Sequence, residues 1–249
     1  MYQFFIEDEN AAEDFVTIEG SDVNHIKNVL RMKPGEKIRV CTRNGQNYFC
    51  SISDITESFV RADILEKEAE STELPCRIYL FQGLPKNDKM EWIIQKTVEL
   101  GVYEVIPVAM KNCVVKLDDK KAKSKVMRWQ AIAESAAKQS KRSLIPEVKM
   151  PMSYKEAVAY AKELDVKLVP YENEHGMSGT KAAMEQIEKG ESVAVFIGPE
   201  GGFAPEEIAL VQDEMQLISL GKRILRTETA GIAALAILGY QLESSDMIE

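Results

Sequence analysis

The chain has 249 residues, 45% of them apolar, with 31 Lys/Arg against 40 Asp/Glu and a formal net charge of -9. Such a length and apolar content can bury a large core in one or two domains, and the acidic balance excludes a protein that coats nucleic acid indiscriminately. No basic, apolar and small-residue leader opens the sequence, and no apolar run reaches the roughly 18 residues that a bilayer crossing needs, so a cytoplasmic protein with no membrane partner is expected. Cys41, Cys50, Cys76 and Cys113 show neither CxxC spacing nor histidine partners. They read as core thiols, with no metal and no disulfide framework.

In chain order, residues 1–70 carry short apolar runs at 2–6, 15–18, 38–41, 48–52 and 59–65, separated by turn signals such as Lys33-Pro34-Gly35-Glu36 and Arg43-Asn44-Gly45. This pattern predicts a small β-barrel domain. One helix over 21–31 interrupts it, with Ser21 or Asp22 as cap and Val23, Ile26 and Leu30 on one face. A polar link, EKEAESTEL at 66–74, closes the region.

Residues 74–249 form a second domain in which strand-like runs alternate with amphipathic segments, the signature of a mostly parallel α/β sheet. Strands are expected at 77–81, 104–110, 166–169, 193–197 and 217–220. Helices are expected at 89–100, 122–140, 154–164, 179–189, 205–213 and 229–242, the last capped by Thr227 or Thr229 and almost wholly small and apolar. A helix apolar all round is buried all round, in a core or in a dimer interface.

Charge is unevenly spread. Residues 111–149 hold eleven Lys/Arg and four Asp/Glu, an excess of seven positive charges that leaves the rest of the chain at -16. A smaller cluster comprises Lys27, Arg31, Lys33, Lys37, Arg39 and Arg43. Either run alone could be a solvated face; two of them in an acidic chain point to a polyanion partner.

The segment FIGPEGGFAPEE at 196–207 runs a strand into three glycines and then a helix start. Ligands of open α/β sheets sit beyond the carboxyl ends of strands, where this loop falls. The helix that follows already carries Glu206 and Glu207 at its positive end, Glu200 lies inside the loop, and neither GxxxxGK[ST] nor GxGxxG spacing is present. A polyphosphate is therefore disfavoured, and an adenosine without phosphate fits. The plainer explanation, a tight turn, accounts for one or two of the glycines. A second loop, SLGKRILRTETA at 219–230, places Arg226 and Glu228 at the mouth of the last helix, where unpaired charges should line a cleft.

These residues carry a resemblance. IGPEGGF and LGKRILRTETA resemble the two ligand loops of SPOUT methyltransferases of the RsmE type, which methylate N3 of a uridine in 16S ribosomal RNA. WIIQKTVELGVYEVIPV at 92–108 and RWQAIAESAAKQSKRSLIPEV at 128–148 match further family stretches, and HIKNVLRMKPGEKI at 25–38 resembles the family's PUA-like barrel. The resemblance implies a SPOUT domain with a deep trefoil knot, a homodimer, S-adenosylmethionine as methyl donor, and 16S rRNA or the 30S subunit as partner. Its implied cofactor contacts are Pro170, Tyr171 and Glu172; Ile197, Gly198, Pro199, Glu200, Gly201 and Gly202; and Ser219, Leu220, Gly221, Arg223, Ile224, Leu225, Arg226, Thr229 and Ala230.

Uridine N3 must lose a proton before it attacks, so a base or an anion-stabilising group is required. Arg226 is the candidate for stabilising the uracil anion or gripping the RNA backbone. Glu228 or Glu200 either takes the proton or holds Arg226 by an ion pair, and the sequence does not separate these roles. Arg31, Lys33, Lys138, Lys141 and Arg142 are the expected RNA contacts, mainly to phosphate. His25 and His175 read as lone, functionally bland histidines. Three rival readings are a non-catalytic RNA-binding module, a nucleotide-dependent enzyme, and a SPOUT enzyme acting on transfer RNA or another rRNA site.

Overall fold

The computed structural model describes residues 1–68 and 71–246. These fall into two compact units, residues 1–73 with 137–145, and 74–136 with 146–249. Residues 69 and 70 of the polar link lie outside the described residues, while 66–68 complete a strand.

The first unit is a five-stranded sheet in the order β1-β3-β4-β5-β2, with β1 Tyr2–Ile6, β2 Phe15–Glu19, β3 Lys37–Thr42, β4 Asn47–Ile55 and β5 Phe59–Glu68. Only β1 and β3 pair in parallel. The two edge strands touch, so the sheet curls towards a barrel. Period-two alternation sends Phe4, Ile6, Val16, Ile18, Ile38, Val40, Cys50, Ile52 and Val60 into one core, onto which Ile26 packs. The helical segment is shorter and less regular than expected: α1 Ser21–Asn24 passes directly into a π-turn, His25–Val29. Neither Ser21 nor Asp22 caps it; Gly20 precedes it at φ 70°, and both oxygens of Asp22 accept from Lys138 Nζ at 3.0 Å.

Three residues expected to face RNA therefore serve as internal fasteners. Lys138 is spent on Asp22. Lys141 takes a left-handed conformation, φ 64°, and donates to the Met1 carbonyl at 2.6 Å. Arg142 is 3% exposed and its guanidinium grips Glu73, with Nε at 2.9 Å from Oε2 and Nη2 on the same oxygen. Glu73 also accepts from the Ser143 N–H at 2.8 Å, and Gln3 donates to the Arg142 carbonyl at 2.6 Å. Burying a guanidinium demands a carboxylate, and the chain supplies one 69 residues away. Arg31 and Lys33, by contrast, are exposed.

The second unit is a seven-stranded parallel sheet in the order β12-β10-β11-β6-β7-β8, with β9 pairing β7. Its strands are β6 Arg77–Gly83, β7 Glu104–Ala109, β8 Glu147–Val148, β9 Met152–Ser153, β10 Val166–Pro170, β11 Ser192–Ile197 and β12 Gln216–Ile218. Between them lie α2 Lys89–Glu99, α3 Asp119–Ser140, α4 Tyr154–Ala161, α5 Ser178–Glu185 and α6 Pro205–Val211; α7 Thr227–Asp246 ends the unit. The two-residue strands β8 and β9 carry no periodicity and were not expected. At the centre, Phe81 of β6 stacks on Phe196 of β11 at 4.3 Å, with Tyr154 edge-on to Phe196. The four cysteines are buried, and burial pushes the Cys41 and Cys50 thiols up to about 12. No helix among the described residues is long and apolar enough to cross a membrane.

The strand order positions the site. β10 lies between β11 and β12, all three parallel, with Pro170 level with Ile218 and Leu168 level with Val195. Their carboxyl ends stand side by side, so the three following loops converge. From the edge strand β12 the chain returns to set α7 against β6, β11 and α2.

Removing one partner of a buried ion pair leaves the other uncompensated. Arg142→Ala is expected to destabilise the protein by about 3 kcal/mol or more, read from urea unfolding. A loss under about 1 kcal/mol, the range of a surface pair, would show that Arg142 is not a core fastener.

Candidate functional site

The three converging loops enclose a cavity of about 700 Å³, within the size range of small-molecule sites. From the first loop come Pro170, Tyr171, Glu172 and Glu174 to Met177; from the second, Ile197 to Glu200, Gly202 and Phe203; from the third, Ser219 to Thr227 and then Ala230; Lys89 joins from α2.

The glycine turn is shaped by three separate demands. Gly202 has φ 67° and its N–H closes the turn on the Pro199 carbonyl at 2.9 Å. A Cβ at Gly198 would stand 3.2 Å from the Phe203 ring, and one at Gly201 would stand 3.0 Å from Asn112 Cβ. Asn112 donates to the carbonyls of Gly201 and Gly202 at 3.1 and 3.2 Å. Beneath the turn, the flat backbone of Gly83 admits Pro199, since a Cβ there would lie 2.7 Å from its nitrogen.

Helix α6 offers no free end to a phosphate. Glu207 is buried and turns back, accepting from the Ala204 N–H at 2.8 Å and from the Lys111 N–H at 2.8 Å, while Glu206 pairs with the Lys111 ammonium. The first turn's positive end is thus neutralised by the chain itself.

The mouth of α7 is fastened by Thr227, which the sequence suggested as a cap. Its hydroxyl instead donates to the Gly198 carbonyl at 2.6 Å and accepts from Gln82 Nε2 at 2.9 Å. Thr180 holds the start of the third loop, bonding both the carbonyl and the N–H of Ser219 at 2.9 Å.

Lys89 joins the two candidate carboxylates. Its ammonium lies 3.0 Å from Glu200 Oε1 and 3.2 Å from Glu228 Oε2, and the Lys86 N–H adds 3.0 Å to Glu200. Burial alone would raise the Glu200 carboxyl, but Lys89 and the Lys86 N–H outweigh it and hold it below the usual carboxylate range. The same carboxylates raise Lys89 above the ordinary lysine range. Arg226 is exposed on the cavity rim, and among the described residues no carboxylate pairs with it.

Of the residues implied by the resemblance, Gly201 and Thr229 do not line the cavity: Gly201 turns its carbonyl to Asn112, and Thr229 lies on an exposed part of α7. Glu228 reaches the site only through Lys89. Missed from the sequence were Lys89, Phe203, Lys222, Thr227 and the stretch Glu174 to Met177, including His175. Lys89 had one local signal. A lysine in the first turn of a helix opposes the dipole, and such breaches of local preference concentrate at functional sites. No group of three or more His, Cys, Asp or Glu placed to hold a metal occurs among the described residues.

The parallel sheet with a cavity at its carboxyl edge and the separate curled β-unit are the domains of an RNA methyltransferase, as the family comparisons show. Residues 72–239 match the model of the RNA methyltransferase domain, and 18–65 match that of the RNA methyltransferase PUA domain. The chain belongs to the ribosomal RNA small subunit methyltransferase E family. It is 39% identical to the Bacillus subtilis member over 98% of both chains, and 36% identical to that of Mesomycoplasma hyopneumoniae over 93% of this chain and 96% of that one. The Neisseria gonorrhoeae member, solved bound to S-adenosyl methionine, superposes with a TM-score of 0.84 at 32% identity, covering 96% of this chain and 97% of that one.

Removing the Lys89 charge should let burial act on Glu200 with only the backbone N–H groups of Lys86 and Glu200 opposing it. In Lys89→Met the Glu200 carboxyl is expected to titrate at higher pH than in the wild type, read by carbon NMR of labelled glutamate. An unmoved or lower value would mean that Lys89 does not hold that carboxylate ionised.

Proposed function

We propose that this chain transfers a methyl group from S-adenosylmethionine to N3 of a specific uridine in 16S ribosomal RNA, in the cytoplasm, as a homodimer. The observation that carries the reading is the cavity itself. It lies where three parallel strands end, its glycine turn is closed to polyphosphate because α6 is capped from within, and Glu172 and Glu174 of its lining have no cation partner among the described residues and suit a cationic group. Glu200 is held ionised, and Glu172 brings Oε1 to 3.4 Å from where a Cβ of Gly202 would stand. The residues present therefore fit S-adenosylmethionine: backbone groups of 197–202 and 219–225 for the adenosine, and acidic side chains for the positively charged end.

When bound, that donor supplies a sulfonium methyl that needs alignment and no further activation. The chain's own task is the uridine. Arg226, exposed and without a carboxylate partner, is placed to stabilise negative charge on the uracil oxygens as the N3 proton leaves, a contribution worth about 10²-fold or more for a well-placed donor. Glu200 and Glu228 turn to Lys89 and not to Arg226, which speaks against either carboxylate holding Arg226 by an ion pair. A carboxylate held below its usual range is a weak base. Glu200 accordingly orders the site; the N3 proton passes to solvent water, and rate comes from stabilising the anion left on the uracil.

The return of α7 from the edge strand to the sheet centre supports a knotted terminal segment. Pairing of two copies is supported by the outer face of α7, where Ala236 is exposed and Tyr240 is 75% exposed, and by Trp92 of α2, 53% exposed. Arg31 and Lys33 of the first unit add phosphate contacts.

The direct test is mass spectrometry of 16S rRNA nucleosides after 30S subunits from cells lacking the protein are incubated with it and the methyl donor. A new N3-methyluridine is expected, and no gain in methylated uridine would reject the reading. Arg226→Ala is expected to cut turnover by about 10²-fold while calorimetry shows donor affinity nearly unchanged. Tyr240→Asp should convert the dimer to a monomer in sedimentation; a wild-type monomer would reject the pairing.

A further inference from the structure

The basic run at 111–149 is not one surface. Eight of its eleven cations have a recorded acceptor within the protein: Lys111 on Glu206, Lys121 on Asp118, Lys125 near Asp88, Arg128 on Glu91, Lys138 on Asp22, Lys141 on the Met1 carbonyl, Arg142 on Glu73, and Lys149 on Glu104 and Glu147. Lys116, Lys120 and Lys123 are exposed and, among the described residues, have no partner. They occupy the approach to α3 and its first turns, with Lys120 and Lys123 three residues apart on neighbouring positions of the helix surface.

The segment bearing them is fixed to the cavity at both ends. Just before it, Asn112 bonds the two glycine carbonyls of the turn and the Lys111 N–H bonds Glu207. Just after it, Lys125 lies 3.8 Å from Asp88 and Arg128 lies 2.7 Å from Glu91, at the start of α2 where Lys89 lines the cavity. The helix end itself is closed, because Asp118 accepts the Lys121 N–H at 2.8 Å. Any anion must therefore be met by the side chains.

We propose that Lys116, Lys120 and Lys123 hold the backbone phosphates of the RNA strand flanking the target nucleotide, in place of Lys138, Lys141 and Arg142. The inference rests on the ribosomal RNA reading above. Its warrant is charge complementarity: the acidic chain leaves three uncommitted ammonium groups together on a frame tied to the cavity, and an ammonium is a compact, sequence-blind phosphate contact.

The test is the triple variant Lys116→Gln, Lys120→Gln, Lys123→Gln, set beside Lys155→Gln, Lys162→Gln, Lys181→Gln, which makes the same change in net charge elsewhere on the unit. Binding to 16S rRNA is measured against potassium chloride, with donor binding by calorimetry. The first variant is expected to flatten the slope of log affinity against log salt by about 2, so that it loses about 20-fold less affinity than the wild type between 50 and 200 mM salt. Its donor affinity should be unchanged and the control should keep the wild-type slope. A triple variant with the wild-type slope overturns the proposal alone, as does a control that flattens equally. A wild type with no salt-dependent binding to 16S rRNA overturns the ribosomal RNA reading and this inference with it.

Discussion

One hydroxyl holds the site together. Thr227 donates to the Gly198 carbonyl and accepts from the side chain of Gln82, so the glycine turn after β11, the end of β6 and the first turn of α7 share a single buried contact. Such a bond contributes about 1 kcal/mol net, and its loss would leave the buried Gln82 amide nitrogen with the Gly83 carbonyl alone. The contact also fixes direction. With α7 anchored there, Arg226 is placed just outside the anchor, on the cavity rim, and Glu228 just inside it, within reach of Lys89. Two residues of like prominence in the sequence thereby receive different tasks.

The charges obey a similar division between fastening and reaching outward. A buried or half-buried cation must find a carboxylate, as Arg142 finds Glu73 and Lys138 finds Asp22, and once paired it has little left for an external anion. Exposed and unpaired cations keep their hydration and their freedom, and they are the ones a polyanion can recruit with release of counterions. Acidic residues in the loops follow the same logic. Glu207 is consumed by backbone N–H groups, Glu206 by Lys111, and Glu200 by Lys89 and Lys86. Each of these three carboxylates thus has a partner within the protein, and of the three only Glu200 lines the cavity.

Local chemistry determined a good deal by itself. Period-two and period-3.6 patterns located the long strands and helices, because those periods follow from the backbone and which face is buried. The glycine turn and the acidic start of α6 by themselves disfavour a polyphosphate site, since the helix dipole and its first-turn carboxylates are contiguous in sequence. Tertiary structure decided everything that depended on partners far apart in the chain. Lys89 enters the cavity because β6 lies beside β11; Arg142 is interior because Glu73, 69 residues away, meets it; and Thr227 is a fastener and no cap because Gly198 lies opposite. The physical reason is that a side chain's pattern fixes its direction from the backbone, whereas its pairing depends on which strands become neighbours, and that is set by the packing of the whole sheet.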